Sequence, residues 1–166
     1  DVSDWGAMQA FADRVHKEIG DVDILVNNAG VGTAGDFLST PIEDWHWVMG
    51  INLMGVVHGC RLFGARMAER RRGHIVNIAS AAGYFAAPDM SAYSASKHAV
   101  MGLTESLRLE MAAHGVGVPR ADRARLGAEV RVGEQQDGRG IGLGHRCGAG
   151  RGGWAAHLVA AARRRN

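Results

Sequence analysis

Asp23-Ile24-Leu25-Val26-Asn27-Asn28-Ala29-Gly30 decides the fold. Residues 23–27 form a short apolar run closed by polar residues, the pattern of a buried strand. Asn28-Ala29-Gly30, with Gly32 and Gly35, then makes a loop. Upstream, Ser3 reads as a helix N-cap. Trp5, Met8, Phe11, Ala12, Val15 and Ile19 follow at helical spacing, and Gly20 is the stop. Downstream, Thr40-Pro41-Ile42-Glu43 reads as a capping box with Pro at the first helical position. The helical pattern it opens runs to about Arg71, with a break near Gly50 or Asn52. Gly73 ends that helix, and residues 74–78 form a second buried-strand pattern. A loop covers residues 80–91. A last helix spans residues 93–114, with Val100, Leu103, Leu107 and Met111 on one face and Gly115 as its cap. Helix, strand, helix, strand, helix with crossover-length helices predicts an α/β fold with a parallel sheet covered on both faces.

The bulk properties exclude several classes of function. A chain of 166 residues, 46% hydrophobic and 22% charged, suits one soluble globular domain. The net charge of +2 calls for neither nucleic acid nor an anionic membrane. No uninterrupted apolar run reaches the roughly 18–20 residues of a membrane span, and the first residues lack the pattern of a signal peptide. Cys60 and Cys147 form no disulfide framework and no metal-ligand spacing. A cytoplasmic protein without a metal is the expectation.

Chemistry enters with Tyr93-Ser94-Ala95-Ser96-Lys97. Residues four apart share a helix face, so the Lys97 ammonium can sit beside the Tyr93 phenol. A cation there favours phenolate, and such a tyrosine can exchange a proton with a carbonyl or an alcohol. Alone, Tyr-x-x-x-Lys is a weak signal, and a solvated helix pair is the better explanation of it in most chains. The context strengthens it. Ser80 follows the second strand in Asn77-Ile78-Ala79-Ser80, thirteen residues before Tyr93, and Asn27-Asn28-Ala29-Gly30 follows the first strand in the same way. Strand ends are where α/β folds place ligands. Asn52, flanked by Ile51 and Leu53, is a polar side chain that needs a partner.

Asn-Asn-Ala-Gly at 27–30, Asn52, Ser80, Tyr93 and Lys97, in order and in register, resemble the short-chain dehydrogenase/reductase family. The resemblance covers residues 1–118. It implies a Rossmann-type doubly wound parallel sheet, truncated at both ends, and an NAD(P)-dependent oxidoreductase. The reaction would be reversible hydride transfer between the nicotinamide of NAD or NADP, not distinguishable here, and an alcohol or carbonyl. By the same resemblance Tyr93 is the general acid/base and Ser80 holds the substrate oxygen. Lys97 lowers the Tyr93 pKa and binds the nicotinamide ribose, and Asn52 holds a water of the proton relay. Asn28, Ala29 and Gly30 pass close to the cofactor, and Asp1 lies beside the adenine. Tyr84, Phe85 and Met90 fall in the substrate loop, where an apolar alcohol or ketone is expected; core packing accounts for them nearly as well. Helices around residues 45–71 and 93–110 are the family's subunit contacts and imply a homo-oligomer of the full-length protein.

The sequence also departs from the family. The chain begins with Asp, and no Thr-Gly-x-x-x-Gly-x-Gly turn precedes it in the sequence, so a partial chain with weak or no cofactor binding, exposed strands and poor solubility is expected. Composition changes at Pro119: ten of the seventeen arginines and ten of the twenty-four glycines lie from there onward, with no Lys, Ser, Thr, Met, Phe or Tyr. Residues 119–166 are therefore expected to be disordered or derived from a shifted reading frame. Codons for Asp122-Arg123-Ala124-Arg125, read one base later, can spell Ile-Glu-Pro-Gly, a family-like strand end and turn. Resequencing the gene across this junction tests that idea. Gly138, Gly140, Gly142 and Gly144 follow no strand and are not read as a dinucleotide turn. The alternative to an enzyme is a catalytically inactive fragment or pseudogene product. A scaffold has no need of Ser80, Tyr93 and Lys97 together, and an epimerase or dehydratase of the same family stays open. His16, His58, His98 and His114 lack metal spacing and read as surface or capping residues. Arg70-Arg71-Arg72 and Arg163-Arg164-Arg165 read as a solvated helix end and a tail. Asn27 reads as satisfying backbone groups in its turn.

Overall fold

The computed structural model describes residues 1–119 and the backbone of residues 158–161. In chain order the elements are α1 (Trp5–Glu18), β1 (Ile24–Asn27), α2 (Ile42–Met49), a π-helical turn (Gly50–Met54), α3 (Gly55–Glu69), β2 (His74–Asn77), a 3₁₀ turn (Ala81–Gly83), α4 (Ser91–Ala112) and β3 (Leu158–Ala161). The expectations placed on Cys147, on the glycines 138–144 and on the arginines 163–165 lie outside the described residues. So does the disorder or frame change expected of residues 119–166, apart from Pro119 and β3.

Local chemistry explains most boundaries and corrects two. Asp4, not Ser3, caps α1: its Oδ1 accepts the Ala7 N–H at 3.0 Å, while the Ser3 hydroxyl is spent on Asp1. Gly20 stops α1 at φ +103, a conformation that costs glycine little. The capping box before α2 does not form. The Thr40 hydroxyl turns back to donate to the Asp36 carbonyl at 2.8 Å, and the helix starts at Ile42 after a Pro41 that caps with no side-chain bond. The expected break near Gly50 or Asn52 is the π-helical turn, which keeps α2 and α3 in one continuous run. That run, Ile42–Glu69, holds an 18-residue window of mean hydropathy 1.3. It is therefore long and apolar enough to cross a membrane by length and composition. Half of the window is buried within the fold, as in the core helix of a soluble protein.

β1 and β2 pair in parallel, Ile24 opposite His74 and Asn27 opposite Asn77, as the order of elements predicts. The sheet order is β2-β1-β3, and β3 runs antiparallel to β1. The parallel β1–β2 pair is the one expected of the fold, and β3 adds to the open edge of β1, whose backbone groups a neighbour of either direction can satisfy. Both parallel strands alternate in burial. Leu25 and Asn27 are buried, whereas Ile24 is 42% exposed, so among the described residues one face is covered more fully than the other. On the far side of β2, Gly117 bridges His74 in parallel and its carbonyl accepts the Ile75 N–H at 2.9 Å. Of the strand expected from Val116-Gly117-Val118, the described residues show this single parallel bridge.

The main core joins Val15 of α1, Leu25 of β1, Phe63 and Met67 of α3, Ile75 of β2 and Val100 of α4 with Val116 and Val118. A second cluster of Val31, Val48 and Ala92, flanked by Trp45, Trp47 and Ile51, ties α2 to the start of α4. Together they level the C-terminal ends of β1 and β2 and hold α4 across them.

Candidate active site

Matched register brings the residues after β1 and after β2 side by side, with the Ile78 N–H bound to the Asn27 carbonyl at 2.9 Å. Beneath this line lies a chain of buried polar side chains. Asn27 Nδ2 donates to Asn77 Oδ1 at 2.8 Å and to Cys60 Sγ at 3.3 Å. Asn77 Nδ2 donates to Thr104 Oγ1 at 3.1 Å, and Thr104 donates to the Val100 carbonyl at 2.7 Å. Asn27 therefore bonds side chains of β2 and α3, and the chain reaches α4 through Asn77, which corrects its reading as a partner of its own turn. Its Nδ2 makes both bonds, while Oδ1 is buried with no hydrogen-bond partner among the described residues.

Lys97 is the centre of the site. Its side chain is buried, at 5% residual exposure, and Nζ donates to the Ile78 carbonyl at 3.2 Å. Burial pushes its pKa below the ordinary lysine value of 10.5, because a buried ammonium loses hydration. Nζ stands 5.8 Å from the centroid of the Tyr93 ring, one helical turn back on α4. Gly30 and Gly32 approach the pair as bare backbone. A Cβ on Gly30 would lie 3.4 Å from Lys97 Nζ and 3.5 Å from Asn52 Oδ1, and one on Gly32 would lie 3.5 Å from the Tyr93 ring.

Asn52 is fully buried in the π-helical turn. Its Oδ1 accepts the Val31 N–H at 2.8 Å, and its Nδ2 donates to the Val31 carbonyl at 2.8 Å and to Ser96 Oγ at 2.9 Å. Ser96 in turn donates to the Tyr93 carbonyl at 2.7 Å. One carboxamide thereby fixes the loop after β1 against the helix that carries Tyr93 and Lys97.

Ser80 caps the 3₁₀ turn, with Oγ accepting the Ala82 N–H at 3.2 Å. That turn rests on α4 through Gly83, where a Cβ would come within 3.1 Å of the Lys97 carbonyl oxygen and closer still to Met101 Sδ. Asn28 and Ala29 are half-buried after β1. Asp1 is exposed, and its Oδ1 accepts both the N–H and the hydroxyl of Ser3, at 2.9 and 2.8 Å. It stands outside the Tyr93–Lys97 group. Its neighbour Val2 does line a shallow cleft with Asn27, Ala29, Gly55 and Val56.

Gly32, Gly83, Ser96 and the Ile78 carbonyl belong to the site and carried no role in the sequence reading. Ser96 stood inside the quoted Tyr-Ser-Ala-Ser-Lys, yet its partner Asn52 is 44 residues away. His58 is buried rather than superficial, with Nδ1 on the Val2 carbonyl at 2.9 Å. Among the described residues no group of three His, Cys, Asp or Glu is placed to hold a metal ion.

Known proteins are similar to this chain in sequence and fold. The family model described as short chain dehydrogenase matches residues 1–122. EphD, a protein of Mycobacterium tuberculosis named as a probable oxidoreductase, is 52% identical over 119 residues, which cover 71% of this chain and 20% of that protein. A short chain dehydrogenase/reductase from Burkholderia phymatum, solved in complex with NAD, matches with a TM-score of 0.68 at 46% identity over 70% of this chain and 43% of that one. A gluconate 5-dehydrogenase from Burkholderia cenocepacia, solved with NADP and tartrate, matches with a TM-score of 0.68 at 34% identity over 70% of this chain and 46% of that one. The chain thus spans between a fifth and just under half of the length of these relatives. With its Rossmann-type α/β core and a family match over most of its length, the chain belongs to the short chain dehydrogenase family.

Proposed function

We propose that this chain carries the catalytic centre of a nicotinamide-dependent oxidoreductase that moves a hydride reversibly between NAD or NADP and an alcohol or carbonyl. The observation that carries the reading is the meeting of the buried Lys97 ammonium, the Tyr93 ring and the bare Cα of Gly30 at the ends of two parallel strands.

The residues present fit a nicotinamide nucleotide. An ammonium has three donors, and the Ile78 carbonyl takes one of them, which leaves N–H groups for ribose hydroxyls. The absence of a side chain at Gly30 keeps open the space beside that ammonium. When bound, the nicotinamide supplies the hydride acceptor or donor. The protein supplies orientation and the proton. Tyr93 gives its phenolic proton to a carbonyl oxygen, or takes one from an alcohol, with Lys97 Nζ 5.8 Å from its ring centroid. Ser80 accepts the Ala82 N–H, so its own O–H is left to donate to the substrate oxygen. Asn52 keeps the loop of Asn28, Ala29 and Gly30 in register with α4 and holds the relay water that the family resemblance assigns to it. Asp1 contributes at the adenine end.

Tyr84 and Phe85, 48% and 77% exposed between Ser80 and Tyr93, support an apolar alcohol or ketone as substrate. A cytoplasmic homo-oligomer in the full-length protein accords with the family. The relatives named as dehydrogenases favour an enzyme over an inactive fragment.

Titration with NADH and NADPH followed by nicotinamide fluorescence, with turnover measured on a panel of ketones, tests the reading. Tyr93→Phe is expected to lower kcat about 10²- to 10⁴-fold, the contribution of a general acid/base, and to leave cofactor affinity unchanged. Turnover that survives in Tyr93→Phe would remove the tyrosine from the mechanism. A folded chain that binds neither nucleotide is the inactive fragment.

A further inference from the structure

Between Tyr93 and Lys97 on α4 stand two serines, Ser94 and Ser96, both buried and neither with a part in the chemistry proposed above. The Ser94 hydroxyl is buried with no hydrogen-bond partner among the described residues. The Ser96 hydroxyl is engaged on both sides. Ser96 is 0% exposed, and its Oγ accepts from Asn52 Nδ2 at 2.9 Å and donates to the Tyr93 carbonyl at 2.7 Å.

The direction of each bond in this chain is fixed from its ends. The Val31 N–H only donates, so the Asn52 atom that faces it at 2.8 Å is Oδ1. Nδ2 therefore points the other way, with one hydrogen on the Val31 carbonyl at 2.8 Å and the other on Ser96 Oγ. The Tyr93 carbonyl only accepts, so the Ser96 hydrogen is directed at it. Ser96 has no proton to pass on, and what it can set is position.

What that position controls is seen on the two sides of Val31. Gly30 precedes it, and a Cβ there would lie 3.4 Å from Lys97 Nζ and 3.5 Å from Asn52 Oδ1. Gly32 follows it, and a Cβ there would lie 3.5 Å from the Tyr93 ring. The residue gripped by Asn52 is thus flanked by the two glycines that meet the lysine and the tyrosine. Among the described residues, Asn52 reaches α4 through Ser96. Removing that hydroxyl cuts the tie and leaves an Nδ2 hydrogen unpaired in the interior. The packing of Val31 with Val48 and Ala92 remains to hold the fold.

We infer that Ser96 is a positioning residue: by bonding Asn52 and the Tyr93 carbonyl at once, it sets the spacing between residues 30–32 and the face of α4 that carries Tyr93 and Lys97. The inference rests on the oxidoreductase reading above, in which cofactor and substrate meet the two side chains across that spacing.

Ser96→Ala, Ser96→Cys and Ser96→Thr are compared with the wild-type chain and with Ser94→Ala. A threonine hydroxyl can bond back to a carbonyl of its own helix, as Thr104 does to Val100 on α4; a thiol does so weakly. Hydrogen exchange of the Val31 amide is read without ligand, and kcat and KM are read for ketone reduction with NADH and NADPH. Ser96→Ala should quicken exchange at Val31 and lower kcat about two- to tenfold, the worth of one hydrogen bond. KM for the ketone should not move, because the hydroxyl touches no substrate. Ser96→Cys should fall between, Ser96→Thr should restore wild-type values, and Ser94→Ala should change neither.

Val31 exchange that is indifferent to the hydroxyl overturns the inference. So does a loss of kcat that Ser96→Thr fails to repair or that Ser94→Ala reproduces. If Ser96→Ala does not fold, the order of Ser, Thr and Cys decides in the same way. Wild-type protein that reduces no ketone with either nucleotide overturns the oxidoreductase reading of this chain. Quickened exchange at Val31 then still upholds the tie through Ser96, and unchanged exchange removes it.

Discussion

Lys97 shows how one side chain can serve a site at a cost to the fold. Its ammonium is buried against the Ile78 carbonyl, and burial lowers its pKa below 10.5. The unfolded chain therefore binds more protons than the native one between the lowered value and about 10.5. Stability rises with pH across that window and is flat below it. Measured against Lys97→Met in urea melts, the wild-type protein should gain relative stability between neutral pH and about pH 10.5. A stability difference that stays constant over that range would show that burial leaves the Lys97 pKa at its unfolded value. Asn52 is a different case. It is neutral, and its three hydrogen bonds satisfy both backbone groups of Val31, so it is buried without a comparable electrostatic penalty.

α3 approaches β1 and the N-terminal turn through glycines, and the spacing is set by what each one meets. A Cβ on Gly59 would collide with Asn27 Oδ1, part of the polar chain under the site. Gly59→Ala should therefore destabilise the protein by about 1–3 kcal/mol, the usual cost of overpacking. Gly102, in the middle of α4, has nothing within 4 Å of the position a Cβ would take. Gly102→Ala should stabilise by about 0.5–1 kcal/mol, the helical penalty of glycine relative to alanine. Chemical denaturation of the two variants gives opposite signs if the packing is as described. Equal effects would mean that helix propensity alone governs both positions. The π-helical turn obeys the same logic: its widened backbone carries the fully buried Asn52 between α2 and α3.

Cys60 reports on the whole molecule because it sits among β1, β2 and α3 in the main core. Burial pushes its thiol up to about 12, against smaller opposing effects of its hydrogen bonds with Asn77 and Asn27. The thiolate is the reactive form, so the native protein should resist thiol reagents at pH 8. In a Cys147→Ser background, labelling of Cys60 should follow global unfolding and keep pace with loss of secondary structure across a urea series. Labelling well before that loss would show that the sheet and α3 separate locally. The same core explains why the site forms. Leu25, Ile75, Phe63, Met67 and Val100 lock two strands and two helices together, and that assembly brings Gly30 and Gly32 against Lys97 and Tyr93 and seats Gly83 on α4.

Much of this was legible in the sequence because it depends on local order. The strand at 23–27, the helix that carries Tyr93 and Lys97 and the break near Asn52 each follow from periodicity and turn chemistry over a few residues. The motif set 27–30, 52, 80, 93 and 97 was legible as a pattern, since a family keeps its spacing when its fold keeps its geometry. Competition between partners was not legible. Ser3 and Thr40 look like caps, but their hydroxyls found other acceptors, and which acceptor wins depends on the path of the turn. The reach of Asn52 to Val31 and Ser96, of Asn27 to Asn77 and Cys60, and of His58 to Val2 was decided by tertiary structure alone. Each joins residues that only the folded sheet and its helices bring together. The antiparallel entry of β3 beside β1 was decided in the same way, because a strand edge specifies hydrogen bonds and leaves the direction of its neighbour to the path of the chain.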